Sequence, residues 1–193
     1  MTSRICSVAA WFAIGLSVAT GPGSALAETR QSQGNSQSNP HRNATPATIQ
    51  VAAGNIEVLS VQARGQVVYV CRREQAPLTT YKWLVGSASA VLTDAEGREI
   101  GRHSANPARW SHVDGSFVSG SQVAVSPHGE KNLPFQLVKT DVAGGQGVLT
   151  AVSYIQRLGT SGGVAPRSSC EAGNEGERAE VEFTAEYRFW KAS

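Results

Sequence analysis

Three histidines and one aspartate are the residues of this chain whose types and spacing come closest to a chemical site. His103, His112 and His128 lie within 26 residues of one another, and Asp114 follows His112 by two positions. In an extended segment, residues i and i+2 face the same side, so His112 and Asp114 would present a nitrogen and a carboxylate together. With His103 they would form a three-ligand set suited to Zn²⁺ or Cu²⁺. A metal-dependent or hydrolytic enzyme using His103, His112 and Asp114 is therefore one hypothesis.

The same residues have a structural explanation that needs no metal. Asp114-Gly115-Ser116 has the composition of a turn, in which the aspartate accepts backbone N–H bonds. His128 lies between Pro127 and Gly129, which indicates a loop residue. No compact motif such as H-x-H or H-E-x-x-H is present. The sequence leaves the metal and any other cofactor undetermined.

Nucleophilic catalysis has less support. Gly159 to Gly163 (GTSGG) matches G-x-S-x-G in its letters, but the glycine-rich stretch indicates a loop and opens no helix, whereas a nucleophile at such a motif needs a strand-to-helix turn. Ser116 with Asp114 and His112 is the nearest combination, but these residues are too close in sequence to converge without a special turn, since triads draw on separate elements. We therefore assign no catalytic residue, and we favour a binding protein over an enzyme.

The segment from His103 to Ser116 is the best candidate for a binding site, because charged and aromatic residues are concentrated there among turns. Trp110 would serve either as a cap on the core or as a stacking platform for a ligand. The candidate ligand-binding residues are Arg102, His103, Trp110, His112 and Asp114. We expect a small ligand or a cell-envelope component as the partner.

Residues 1–27 have the pattern of a secretory signal peptide. Arg4 is followed by an apolar stretch from Ile5 to Ala19, and Ala25-Leu26-Ala27 offers small residues for cleavage after Ala27. No later segment has membrane-spanning length, so we expect no membrane span in the mature form. The pattern predicts a secreted or periplasmic protein.

Composition narrows the classes of protein further. The chain has 193 residues, 40% of them hydrophobic and 17% charged, with a formal net charge of +2. These values exclude a collagen-like, coiled-coil or multi-span membrane protein. The near-neutral charge provides no field for a polyphosphate, so we expect no nucleic-acid partner.

Two cysteines remain after removal of the signal peptide, which contains Cys6. Cys71 and Cys170 would enter an oxidising compartment, where two thiols in a small domain usually pair. We predict a Cys71–Cys170 disulfide. A zinc site is the alternative, but two isolated cysteines lack the clustered spacing that such a site needs.

Beyond the signal peptide, a polar tail precedes one folded body. Residues 28–48 contain no large apolar residue and are rich in Gln, Ser and Asn, which predicts a disordered tail. Residues 49–193 are punctuated by Gly and Pro, and no window keeps a convincing 3.6-residue apolar period. They form the predicted single domain.

Alternation of apolar and polar residues predicts about nine strands in this domain. The clearest case is Glu180 to Trp190, where five apolar residues point one way and the intervening polar residues point the other. Asp94 to Gly97 predicts a tight hairpin with Gly97 at a positive φ. The candidate strands are 56–61, 66–71, 80–85, 90–93, 98–101, 117–125, 133–140, 148–158 and 180–190. We predict an all-β fold, a single antiparallel β-sandwich or barrel-like domain with one disulfide.

Several phrases in the body resemble one protein family. They are the run from Gly65 to Cys71, Trp83, the runs 90–97, 101–103, 107–110 and 114–120, the run from Tyr154 to Gly163, and Cys170. Together they resemble the exported domain of unknown function 3455 family of bacteria and fungi, over roughly Ile56 to Trp190. The resemblance implies export and this fold. It implies no activity.

Overall fold

The computed structural model describes residues 45–74 and 80–193. The predicted signal peptide and the predicted tail up to residue 44 lie outside the described residues. A 3-10 helix at Ala47–Ile49 precedes the sheet, so regular structure starts two residues before the predicted domain boundary. A second 3-10 helix lies at Ala172–Asn174. Neither helix has the length or apolar character to cross a membrane, and no other helix occurs in the described part of the chain.

The described residues form eight antiparallel strands in one closed barrel. Each strand pairs with the next, and β8 returns to pair with β1. The strands are β1 (Asn55–Glu74), β2 (Thr80–Thr93), β3 (Glu99–Ala105), β4 (Arg109–His112), β5 (Phe117–Ser126), β6 (Phe135–Gly144), β7 (Val152–Gly162) and β8 (Arg178–Ala192). The prediction of an all-β antiparallel fold is confirmed, and of its two forms the chain adopts the barrel.

The barrel has eight strands where the sequence predicted about nine. The predicted strands 56–61 and 66–71 are parts of β1, and 80–85 and 90–93 are parts of β2. Gly65 lies inside β1, where the strand approaches β2 closely. A Cβ at this position would stand 1.9 Å from the carbonyl oxygen of Ser89, so only glycine fits. The glycine thus permits close approach of β1 and β2 and does not end the strand. The sequence missed β4, whose four residues are too short to show alternation.

The apolar residues that alternate along β8 point into the barrel and fill its core, as predicted. Phe183, Ala185, Tyr187 and Phe189 are at most 3% exposed and belong to the main core. Trp110 and Tyr187 are among the largest fully buried side chains. Small side chains in the same core complement these large rings, since close packing requires large and small residues to alternate. They include Ala63, Ala90 and Ala185.

A smaller apolar cluster lies on the outer face of the barrel. Ile49, from the first 3-10 helix, packs there with Leu137 and Leu158. The side-chain amide of Gln156 donates to the carbonyl oxygen of Ile49 at 2.7 Å. This cluster marks Gln156 and Leu158 as outward-facing, so Arg157 between them faces the inside.

The predicted disulfide is confirmed. Cys71 and Cys170 are bonded, with their Cα atoms 5.5 Å apart. The bond joins the end of β1 to the loop before β8. It closes a separation of 99 residues, so it restricts the unfolded chain strongly.

Candidate functional site

Asp114 forms a compact hydrogen-bond network between two loops. It accepts hydrogen bonds from the Ser116 hydroxyl at 2.6 Å, the Ser116 N–H at 2.9 Å and the Val148 N–H at 2.8 Å. Its Oδ2 lies 3.0 Å from Nδ1 of His112. These donors hold the pKa of Asp114 well below its usual range, with the Ser116 hydroxyl contributing most. The network ties the β4–β5 turn (residues 113–116) to the β6–β7 loop (residues 145–151), and we call this the closed end.

The closed end explains Asp114, His112 and Ser116 structurally. A tight turn with Gly115 at φ +90° brings Ser116 and His112 to the same carboxylate, which the sequence alone did not favour. Ser116 is fully buried, its proton goes to Asp114, and its oxygen accepts the Leu149 N–H at 3.2 Å. A hydroxyl so engaged cannot approach a substrate, so this trio is not arranged as a nucleophile with its base.

His103 and Trp110 lie in the core. They are direct neighbours in the β3–β4 ladder, and their rings stack with centroids 4.5 Å apart. The exposed fractions are 7% for His103 and 1% for Trp110. Tyr187 packs against both rings, at 5.3 and 5.7 Å. Trp110 is therefore part of the core and offers no open face for stacking.

Burial sets the charge of His103. Desolvation lowers the pKa of His103 to about 4, and the positive charge of Arg157 acts in the same direction. Nδ1 of His103 lies 3.1 Å from the carbonyl oxygen of Arg109, which can only accept, so Nδ1 carries the proton. The imidazole is neutral at physiological pH.

The three proposed metal ligands do not form one site. His103 stacks in the core, whereas His112 and Asp114 bond to each other at the closed end. In residues 45–74 and 80–193, no group of three His, Cys, Asp or Glu side chains is placed to hold a metal ion. The structure thus brings together two of the three residues and leaves the third elsewhere.

Arg102, the remaining candidate, borders a concavity on the outer face of the barrel. The concavity has a volume of about 270 Å³ and lies across β8, β1, β2 and β3. Arg64, Val91 and Arg102 form one cross-strand row, in which Val91 separates the two arginines. The residues whose side chains point outward here are Arg64, Gln66, Ser89, Val91, Arg102 and Glu182, and the inward-facing Gly65, Ala90 and His103 also border the concavity.

Charges in the outer concavity are only partly matched. Arg102 pairs with Glu99 at 2.8 Å, and both side chains are largely exposed. Arg64 makes no ion pair with any residue that the structure describes. Glu182 contributes one carboxylate, next to Gln66 in the β1–β8 ladder. The concavity therefore offers a guanidinium donor, an amide, a hydroxyl and a carboxylate acceptor.

Two groups of residues at the barrel surface and interior were not among the candidates predicted from the sequence. Period-2 alternation through QARGQ places Arg64 and Gln66 on one outward face, a signal that was available. Arg157 follows the buried Ile155 at the next inward position of β7, and a charge at an inward position indicates a special role.

The barrel and its Cys71–Cys170 bond define the class of protein, an all-β domain with one intramolecular disulfide. The chain belongs to the family described as Protein of unknown function (DUF3455), whose model matches residues 52–191. The resemblance seen in the sequence is confirmed. The chain matches no curated protein and no solved structure.

Proposed function

We propose that this chain is an exported β-barrel protein that binds a small acidic ligand in the outer concavity without catalysis. The observation that carries the proposal is the pair of arginines on either side of Val91, one of which has no acidic partner among the described residues. Guanidinium groups bind carboxylates and phosphates through charge-assisted hydrogen bonds.

Other side chains of the outer concavity narrow the ligand. The Glu182 carboxylate would repel a plain anion but accepts hydrogen bonds from hydroxyl groups. Gln66 and Ser89 offer both donors and acceptors beside it. A polyhydroxylated acid, such as an acidic sugar unit, therefore suits the concavity better than a simple inorganic anion.

Export is part of the proposal. The signal-peptide pattern in residues 1–27 supports it. The disulfide between Cys71 and Cys170 supports it independently, because structural disulfides persist in oxidising compartments. Mass spectrometry of protein recovered from the periplasm or medium should find Glu28 as the first residue. Retention of residues 1–27 on the recovered protein would contradict this part.

Isothermal titration calorimetry of the mature protein with glucuronate tests binding in the outer concavity. We expect saturable binding that glucose does not reproduce. Replacing both arginines (Arg64→Gln with Arg102→Gln) should weaken binding about tenfold or more, since hydrogen bonds to charged groups contribute about 1.5–3 kcal/mol.

Arg178→Gln is the matched control, because Arg178 is also exposed but does not line the concavity. It should bind glucuronate like the wild type. Equal affinity of the double variant and the wild type would contradict the proposal, as would the absence of saturable glucuronate binding.

A further inference from the structure

The inner face of the barrel is open to solvent beside β5 and β6. β4 pairs with only three residues of β5, so Gly120 to Ser126 have a partner strand on the β6 side alone within the described part. Ala124 and Leu137 pack in the outer cluster, and alternation therefore turns Val125 and Gln136 inward. Val125 is nevertheless 43% exposed.

Gln122 completes this opening. It pairs with the core residue Val138 and so faces inward, yet its side chain is exposed. The Gln136 amide donates to the Gln122 carbonyl oxygen at 2.7 Å across the two strands. We call the inward-facing group of Gln122, Val125, Gln136 and Arg157 the mouth.

Arg157 is the only charged residue of the mouth. It pairs with Gln136 on one side and with Tyr187 on the other, and it is half-buried. Its Nε and Nη2 donate to the carbonyl oxygen of Pro134 at 3.2 and 3.0 Å, which fixes the plane of the guanidinium. No carboxylate of the described residues lies within ion-pair distance of it.

The groups around Arg157 are neutral, so none of them compensates its positive charge. Burial raises the pKa values of Tyr69 and Tyr187, and the charge of Arg157 opposes that rise in both. His103, which also experiences the charge of Arg157, is held neutral by burial. Nε1 of Trp110, in the same layer of rings, is buried with no hydrogen-bond partner among the described residues; Trp190 Nε1 is the other such atom. A fixed cation with no anion nearby favours the arrival of one from solution.

We infer that the mouth is a second binding site, for a small carboxylate whose apolar part contacts Val125. Nε and one N–H of Nη2 of Arg157 already donate to Pro134, so a carboxylate would be bound through the remaining N–H donors of Nη1 and Nη2. Gln122 and Gln136, which bond to each other on the same face, have further amide N–H groups to donate. Val125 provides exposed apolar surface. This site is on the opposite face of the sheet from the outer concavity and does not depend on it.

Octanoate is the probe that tests the mouth, and isothermal calorimetry of the full mature protein is the measurement. We expect saturable one-to-one binding of octanoate and at least tenfold weaker binding of inorganic phosphate, which lacks an apolar part. Arg157→Gln should reduce octanoate affinity about tenfold or more.

Gln136→Glu provides the decisive variant, because it places a carboxylate of the chain itself next to Arg157 with little change in shape. It should reduce octanoate affinity about tenfold while the protein stays folded. The matched control is Gln66→Glu, which makes the same substitution on the outer face and should leave octanoate affinity unchanged.

Three outcomes would overturn the inference. The first is the absence of saturable octanoate binding to the wild type. The second is unchanged affinity in folded Gln136→Glu. The third is phosphate binding as tight as that of octanoate, which would show an anion site without preference for a carboxylate. Loss of glucuronate binding in the arginine variants of the outer concavity would have no bearing on these results.

Discussion

The closed end and the mouth differ in whether the chain itself provides partners for the charged side chain. At the closed end, the carboxylate of Asp114 receives hydrogen bonds from Ser116 and Val148, and the His112 ring lies 3.0 Å from it. At the mouth, the guanidinium of Arg157 has only neutral partners among the described residues, the Pro134 carbonyl oxygen and the Tyr187 hydroxyl. A charge matched by the chain stabilises the fold, whereas an unmatched charge beside solvent is available to a ligand.

This difference corrects the interpretation that the sequence favours. The segment from His103 to Ser116 contains most of the candidate functional residues, but their side chains make structural contacts in the core and at the closed end. Two cations without an ion pair among the described residues lie instead on strands with less conspicuous sequences, Arg64 in β1 and Arg157 in β7. The four predictions that follow test this contrast between matched and unmatched groups.

Leu149→Ala should have the largest effect. Leu149 is 1% exposed and belongs to the main core beneath the closed end, so its truncation should lower the free energy of unfolding by about 2–5 kcal/mol. Val125→Ala at the mouth should lower it by about 0.5 kcal/mol or less, because Val125 is 43% exposed. Urea denaturation of both variants is the measurement. Equal losses would contradict the distinction between the two regions.

Acid should destabilise the protein through His103 before it affects the closed end. The pKa of His103 is about 4 in the folded protein and about 6.5 in the unfolded chain, so the unfolded state binds the proton first as pH falls. Stability should therefore decrease between pH 6.5 and 4, by about 3 kcal/mol in all. The pKa of Asp114 is lowered, so its contribution is complete above its ordinary value and is lost only below it.

Unfolding free energies measured from pH 3 to pH 8 check these two ranges. His103→Asn should flatten the profile between pH 6.5 and 4, and Asp114→Asn should leave that part of the slope intact. A wild-type profile that is flat over this range would show that His103 is not held neutral by the core.

Ser116→Ala should have an intermediate effect on stability. Removing the buried hydroxyl leaves the Leu149 N–H without its acceptor and Asp114 without its shortest hydrogen bond, a loss of about 1–3 kcal/mol. Ser121→Ala is the control, because its hydroxyl bonds Asp141 at 3.1 Å on the exposed surface. Thermal denaturation should show a clear drop for the first variant and almost none for the second. The reverse order would contradict the role given to the closed end.

Gln136→Glu should have the smallest effect on stability. A partly exposed ion pair with Arg157 contributes about 0.2–1 kcal/mol and weakens with salt. Chemical denaturation at low and high salt should show a slight stabilisation at low salt only. A destabilised variant at both salt concentrations would contradict an ion pair between a carboxylate at position 136 and Arg157.

Much of the fold was predictable from local pattern, and the candidate sites were less so. Alternation in Glu180 to Trp190 and the hairpin at Gly97, with φ +80°, predict local structure correctly because they depend on neighbouring residues alone. The continuity of β1 through Gly65 depends on its distance to Ser89 in another strand, which no local pattern encodes. The burial of His103 and Trp110 depends likewise on Tyr187, more than 70 residues away.

The most direct test of the contrast between the two regions is a ¹H–¹⁵N NMR titration of the mature protein with octanoate. The predicted result is a saturable set of shifts on the inward-facing residues of β5, β6 and β7 around Arg157, accompanied by a shift of the Trp110 indole N–H. The backbone signals of residues 113–116 and 145–151 should stay in place. Shifts concentrated at the closed end, or no saturable shifts at the mouth, would contradict the account.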